Sequence, residues 1–444
     1  MSQRKFSDPA RATRATSAVR LWRDALVAVL AGLAAMVVTA ALGLWAAGAA
    51  DLPQGAFPRV VAAVVVMAVG GSVGIAGGAG ELAQTRADLS VLPLSVTLAG
   101  ALVTATLFLR PLRHRAVAGT RELAGRAGRL AALWVIGLVV LSLLARFTFT
   151  IPLEDPTGGL LDDLLGEDGA PKVGFRADIA LTILFGLLWL AGLLFVALLV
   201  SRKAPLPARL VRFQEPVRPA AFAMVALLLA YVALGLLLAL VVVVTHGHKA
   251  ETFAVILLGL PNLAWIALML GLGASWEGKV DGPFGLPMPQ VLDEVLRTKD
   301  ISTLSLGTLT EHDGRAWWLL VAAVLLVPAA AFLMAVRSPA RMRHWQHAVH
   351  MAVALTLTVL MICLVARVSA RLGLSLLGLG DLFDAGGGLG GEVSLRPRLW
   401  TALGFAVLWG LVAGFLGGLL ASRVRRRGEV PPRAARPAAG PPPT

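Results

Sequence analysis

The sequence predicts an all-α fold: a polytopic transmembrane helical bundle of two parallel repeats, each with four spans and one re-entrant or half-depth segment. Three observations carry this. The 444 residues are 57% hydrophobic with mean hydropathy +0.78, far from the composition of a soluble globular chain. Ten apolar stretches recur, near 25–47, 58–78, 91–109, 130–147, 179–200, 219–245, 252–274, 316–336, 348–366 and 400–421, most of them close to the ~20 residues a helix needs to cross a hydrocarbon core. Finally, one stretch occurs twice. Arg176, Phe185, Leu188, Trp189, Phe195 and Leu199 return 220 positions later as Arg396, Phe405, Leu408, Trp409, Phe415 and Leu419, and Ser201-Arg202 returns as Ser422-Arg423.

Helices are the expected elements because lipid offers no partner for an open backbone and the alternation of a membrane barrel is absent. The net charge of +14 does not point to nucleic acid, since the basic residues sit between apolar stretches rather than in one patch. Before the first apolar run lie Arg4, Lys5, Arg11, Arg14, Arg20 and Arg23, and after it Ala46–Asp51 reads AAGAAD. The run is too long for a signal-peptide core, so it is expected to stay as a span.

Charge then sets the topology. If all ten stretches crossed, the loop 110–129 would face outward with Arg110, Arg113, Arg115, Arg121, Arg126 and Arg129 against the single acid Glu122. The acidic loop 148–178 would face inward, inverting the positive-inside rule. Both conflicts vanish if 58–78 and 252–274 enter and leave by the outer face. Breaking residues support this: Pro58 and the glycines from Gly70 in the first, Pro261-Asn262 and Gly273 in the second. Aligning Pro58 with Pro261 also aligns Gly70 with Gly273 and Ser72 with Ser275.

The expected organisation is a basic cytoplasmic N-terminus (1–24), a first repeat (25–202), a basic linker (203–218), a second repeat (219–423) and a disordered Pro/Arg-rich cytoplasmic tail (424–444). An even number of crossings per half makes the repeats parallel, related by an axis along the membrane normal. In the outer loops, Leu160, Leu161, Leu164 and Leu165, and again Val291, Leu292, Val295 and Leu296, fall on one helical face. Three readings are open: helices on the outer interface, a docking surface, or a lid on the bundle. The third outer loop, with Gly386, Gly387, Gly388, Gly390 and Gly391, is expected to be flexible.

No pattern supports catalysis, a cofactor or a metal. Gly70, Ser72 and Gly74 match the spacing of a nucleophile elbow, but that device needs a strand-to-helix turn in an α/β sheet; close helix packing explains the glycines. His246 and His248 lack further ligands. His344, His347 and His350 lie at a span entry. Cys363 is the single cysteine, so no intrachain disulfide forms. Gly410, Gly414 and Gly418 form a double GxxxG packing face; the equivalent positions of the first half are the larger Leu190, Leu194 and Leu198, so the two faces cannot pack identically. Trp189 and Trp409 fall mid-span and are expected to pack. The polar residues left at depth are Ser72, Asn262, Ser275, Thr356 and Thr358, and the lack of deep carboxylates speaks against ion coupling.

Val91–Arg113 (VLPLSVTLAGALVTATLFLRPLR), Ser305–Leu320 (SLGTLTEHDGRAWWLL) and the two LW-to-SR spans resemble the streptophobe family, very hydrophobic actinobacterial membrane proteins. The resemblance covers nearly the whole chain and implies no reaction. Leu260–Ser275 (LPNLAWIALMLGLGAS) is similar to the Pro-Asn…Trp…Gly stretch of PerM-type membrane proteins linked to cell division. That implies partners among envelope or divisome membrane proteins besides the lipid bilayer. The expectation is a non-enzymatic cell-membrane scaffold or partner-binding protein with both termini cytoplasmic. The alternative is a permease or lipid-handling protein whose path runs beside the embedded segments, lined by Asn262 and Ser72.

Overall fold

In the computed structural model, residues 9–52, 55–79, 83–111, 120–150, 172–201, 211–246, 249–281, 302–339, 342–376 and 391–423 are described. The helices are α1 (Pro9–Ala46), α2 (Ala56–Ala68), α3 (Leu94–Leu109), α4 (Thr120–Leu144), α5 (Ile179–Val200), α6 (Val211–His246), α7 (Lys249–Gly271), α8 (Leu306–His312), α9 (Trp318–Arg337), α10 (His344–Val365) and α11 (Leu399–Ser422). The chain is a polytopic α-helical bundle. Among the described residues, eight helices are long and apolar enough to cross a membrane, and exposed Leu, Val, Phe and Trp side chains cover their outer faces, as lipid contact requires.

The predicted number is eight, but the set differs. By length α7 is included, at 23 residues, and α3, at 16, is not. Pro261 does not break α7, which runs through it. Proline leaves the carbonyl of Leu257 without its helical donor, and one residue away Ser95 Oγ donates to the Ile256 carbonyl at 2.8 Å. A polar partner therefore sits where the helix is weakest.

Contacts along α7 show how it lies. Leu257 and Leu258 pack on Gly43 near the end of α1, Asn262 meets the start of α3, and Gly271 lies against Leu319 at the start of α9. Since α1 and α3 run antiparallel, with Thr104 facing Gly32 and Met36 facing Gly100, all three contacts fall at one end of the bundle. α7 packs alongside the span α6, with Leu260 and Ala264 against Gly235 and Trp265 Nε1 donating to the Leu228 carbonyl at 3.4 Å, and its other contacts bring it to that end. α2 reaches the same end: Arg59 reaches the Arg146 carbonyl, Ala62, Ala63 and Val66 pack on Ala145, and the Ala68 carbonyl accepts from Thr97 Oγ1 at 2.7 Å.

The same end carries a feature the sequence reading did not anticipate, an eight-stranded antiparallel sheet. Its strands are β1 (Val73–Ala79), β2 (Ala83–Ser90), β3 (Arg146–Thr150), β4 (Lys172–Ala177), β5 (Trp276–Asp281), β6 (Ser302–Leu304), β7 (Val368–Leu376) and β8 (Gly391–Pro397), in the order β3-β4-β1-β2-β7-β8-β5-β6. The glycines after Gly70, expected to serve helix packing, build β1 instead. The outer connections enter and leave through strands, while the Leu160–Leu165 and Val291–Leu296 patterns and residues 424–444 lie outside the described residues. Part of the basic linker is helical, because α6 begins at Val211, ahead of its apolar stretch from Val217.

The order of elements recurs along the chain apart from the additional α8, and several hydrogen bonds recur with it. The chain leaves α2 through Gly71 N–H to the Val66 carbonyl and Gly70 N–H to the Met67 carbonyl; it leaves α7 through Ala274 to Met269 and Gly273 to Leu270. This is the 6→1 and 5→2 pattern of a helix ending in a left-handed residue, and Gly70 and Gly273 have φ of 90° and 92°. The strand order β3-β4-β1-β2 returns as β7-β8-β5-β6. Val73 faces Ala177 as Trp276 faces Pro397, and Phe147 faces Phe175 as Val368 faces Leu395.

Candidate functional site

The junction where the sheet meets the helix ends gathers most of the residues singled out from the sequence. One face of the sheet packs on the bundle through Val73, Ala177, Trp276 and Leu395, all buried, and the other presents Gly74, Arg176 and Arg396 to the outside. Arg176 stands opposite Gly74 and Arg146 in its pairings, and Arg396 opposite Glu277.

Ser72 and Ser275 occupy matching places. The Ser72 carbonyl accepts from Asp178 N–H at 3.2 Å and the Ser275 carbonyl from Arg398 N–H at 3.0 Å. Each bond ties the start of the strand after α2 or α7 to the N-cap residue of α5 or α11. The two closing spans are then capped differently. Asp178 Oδ1 accepts from Leu181 N–H at 2.9 Å, a side-chain N-cap. Arg398 carries no acceptor, and its Nε instead donates to Glu277 Oε1 at 2.7 Å.

Asn262 uses both ends of its amide. Its Oδ1 accepts from Leu94 N–H at 3.1 Å and its Nδ2 donates to the Leu92 carbonyl at 2.9 Å. It caps a donor at the start of α3, one that no intrahelical bond can satisfy, and it joins the halves. This use of Asn262 was not legible in the sequence, because its partners lie 168 and 170 positions away.

Trp189 and Trp409 are both half-buried but differ in role. Trp189 stacks on Trp134 with ring centroids 5.2 Å apart, whereas Trp409 Nε1 donates to the Leu272 carbonyl at 3.0 Å, beside the left-handed Gly273. Gly410 and Gly414 sit against the backbone of α10 at Ala352 and Ala348, and Gly418 faces His344 and His347. Against each of Gly410 and Gly414, an added Cβ would meet main-chain atoms rather than a movable side chain.

Among the described residues no three His, Cys, Asp or Glu side chains come together as a metal-binding group. At the end of the bundle away from the sheet, a small cleft is lined by Leu21, Asp24, Ala28, Phe108 and Arg126. Cys363 is buried inside α10. No protein-family model, curated protein or solved structure matches the chain.

Proposed function

We propose that this integral membrane protein is a non-enzymatic scaffold of the cell membrane, of the streptophobe type. In this reading it is built as two parallel repeats, has both termini in the cytoplasm, and holds its sheet outside the membrane to bind envelope or divisome membrane proteins. The observation that carries the reading is the use made of polar groups near the embedded helices. Asn262, the strongest candidate to line a path, spends both ends of its amide on the backbone of α3. The Ser72 and Ser275 carbonyls likewise hold the closing spans in place.

Orientation rests on charge. Arg110, Arg121, Arg126, Arg129, Arg337, Arg343 and Arg423 collect at the bundle end away from the sheet, which the positive-inside rule assigns to the cytoplasm. What remains for interaction on the outside is a rigid platform whose exposed face shows Arg176 and Arg396.

The test pairs two measurements on the full-length protein. A photo-crosslinking residue placed at Arg176 or at Arg396 is expected to trap the same extracytoplasmic partner in cells. The purified protein in phosphatidylethanolamine–phosphatidylglycerol vesicles is expected to move fluorescent lipid no faster than protein-free vesicles. Lipid movement that is lost on Asn262→Ala in a still-folded protein would overturn the scaffold reading in favour of a permease or lipid-handling path.

A further inference from the structure

The contacts between the halves all run one way. α1 and α3 touch α7, α5 touches α6, and β2 pairs with β7 along eight positions, from Ala83↔Leu376 to Ser90↔Ser369. Exchanging each element for its counterpart in the other half gives α6 with α2, α9 with α2, α11 with α1, and β6 with β3. Among the described residues none of these is made to a comparable extent. A closed two-fold would make both sets. The halves are therefore joined head to tail, and the joint leaves one complementary surface at each end: β6 with α9 and α11 at one, β3 with α2 at the other.

We propose that these two surfaces bind each other between copies of this chain, so that β6 of one copy continues into β3 of the next as β2 continues into β7 within the chain. The inference rests on reading the halves as repeats. Its register follows from the pairings. Val73 faces Leu89 as Trp276 faces Leu304, so Leu89 corresponds to Leu304 and Asp88 to Thr303. Phe147 faces Phe175 as Val368 faces Leu395, so Val368 corresponds to Phe147 and Arg371 to Thr150. The internal pair Asp88↔Arg371 thus predicts Thr303 opposite Thr150 of the next copy.

The polar contact of the internal joint has an exposed counterpart on α2. On the internal joint Asn262 of α7 meets Leu94. The corresponding residue of α2 is Arg59, which is exposed, and the counterpart of α3 is α9. The helical part of the joint needs no hydrophobic drive, since in lipid such faces associate by packing and polar contacts. The sheet edges supply the backbone pairing, as edge strands readily do.

The experiment uses disulfide trapping in membranes, with full-length protein in a Cys363→Ala background. Asp88→Cys with Arg371→Cys in one chain reports the internal joint. Thr303→Cys and Thr150→Cys, on two differently tagged chains expressed together, report the proposed one. The expected result is an intrachain bridge in the first case and a mixed-tag dimer in the second, the latter weaker because β6 is three residues long. An internal bridge without any mixed dimer overturns the proposal while leaving the sheet order intact. A bridge between Thr303→Cys and Thr150→Cys formed only within one chain also overturns it, since the sheet would then close on itself. Failure of the Asp88→Cys/Arg371→Cys bridge would sink the internal joint and the inference with it.

Discussion

The closing helices of the two halves solve one packing problem with opposite side chains. In the second half, α11 approaches α10 and α9 through Gly410, Gly414 and Gly417, close enough that a Cβ at each position would strike backbone. In the first, α5 keeps Leu190 and Leu194 buried, and Trp189 stacks on Trp134 to fill the wider gap. Similar sequences at matching places thus give a tight, glycine-based pair on one side and a side-chain-filled pair on the other. Without hydrophobic drive inside lipid, both depend on contact density, but only the first has no room to adjust.

The largest expected effect comes from forcing one solution onto the other. Gly410→Leu is expected to cost more than ~3 kcal/mol, the upper part of the overpacking range, because α10 backbone must move; size-exclusion profiles and thermal unfolding in mild detergent would show loss of the folded peak. The reverse change, Leu190→Ala, is expected to leave a folded protein destabilised by about 2–4 kcal/mol through a cavity. Equal tolerance at both positions would break the contrast.

Next is the joint between the halves. Asn262→Ala orphans the Leu94 N–H and the Leu92 carbonyl and is expected to cost roughly 1–3 kcal/mol. The corresponding Arg59→Ala removes an exposed bond to the Arg146 carbonyl and a cation–π contact 4.5 Å from the Phe147 ring centroid, and is expected to cost less by the same unfolding measurement.

The two left-handed glycines sharpen the comparison further. Either Gly70→Ala or Gly273→Ala places an L residue at positive φ, worth about 1–2 kcal/mol. A Cβ at Gly70 would also stand 3.2 Å from Phe185 Cβ, whereas at Gly273 the nearest atoms are the Phe405 ring edge at 3.5 Å. Gly70→Ala is therefore expected to lower the unfolding midpoint more. The smallest pair is the two caps: Asp178→Ala removes an N-cap worth ~1 kcal/mol. Arg398→Ala removes an ion pair whose side chains are 48% and 44% exposed, worth between ~0 and 1 kcal/mol.

The helical bundle and its long apolar helices were legible because long apolar runs leave strong signals. The positions of Gly70, Gly273, Ser72 and Ser275 were legible from alignment of the halves. The sheet was not, because its strands are short and adjoin apolar helices that dominate any window. A signal existed: Val368–Leu376 alternates Val, Ala, Leu, Leu, Leu with Ser, Arg, Gly, Ser, and Gly391–Pro397 alternates Glu, Ser, Arg with Val, Leu. Two-residue alternation marks a half-buried strand. Pro261 misled in the other direction, since the Ser95 bond that supports the helix beside it comes from the other half of the chain. The pairing of Asn262 with α3 depends on tertiary contact alone.

The most direct test of the account is labelling of single cysteines by a membrane-impermeant maleimide in sealed cells, in a Cys363→Ala background. Gln84→Cys on β2 and Ser305→Cys beside β6 are expected to label without permeabilisation, and Ala118→Cys in the arginine-rich connection only after it. Labelling of Ala118→Cys in intact cells, with Gln84→Cys silent, would put the sheet on the cytoplasmic side and contradict the account.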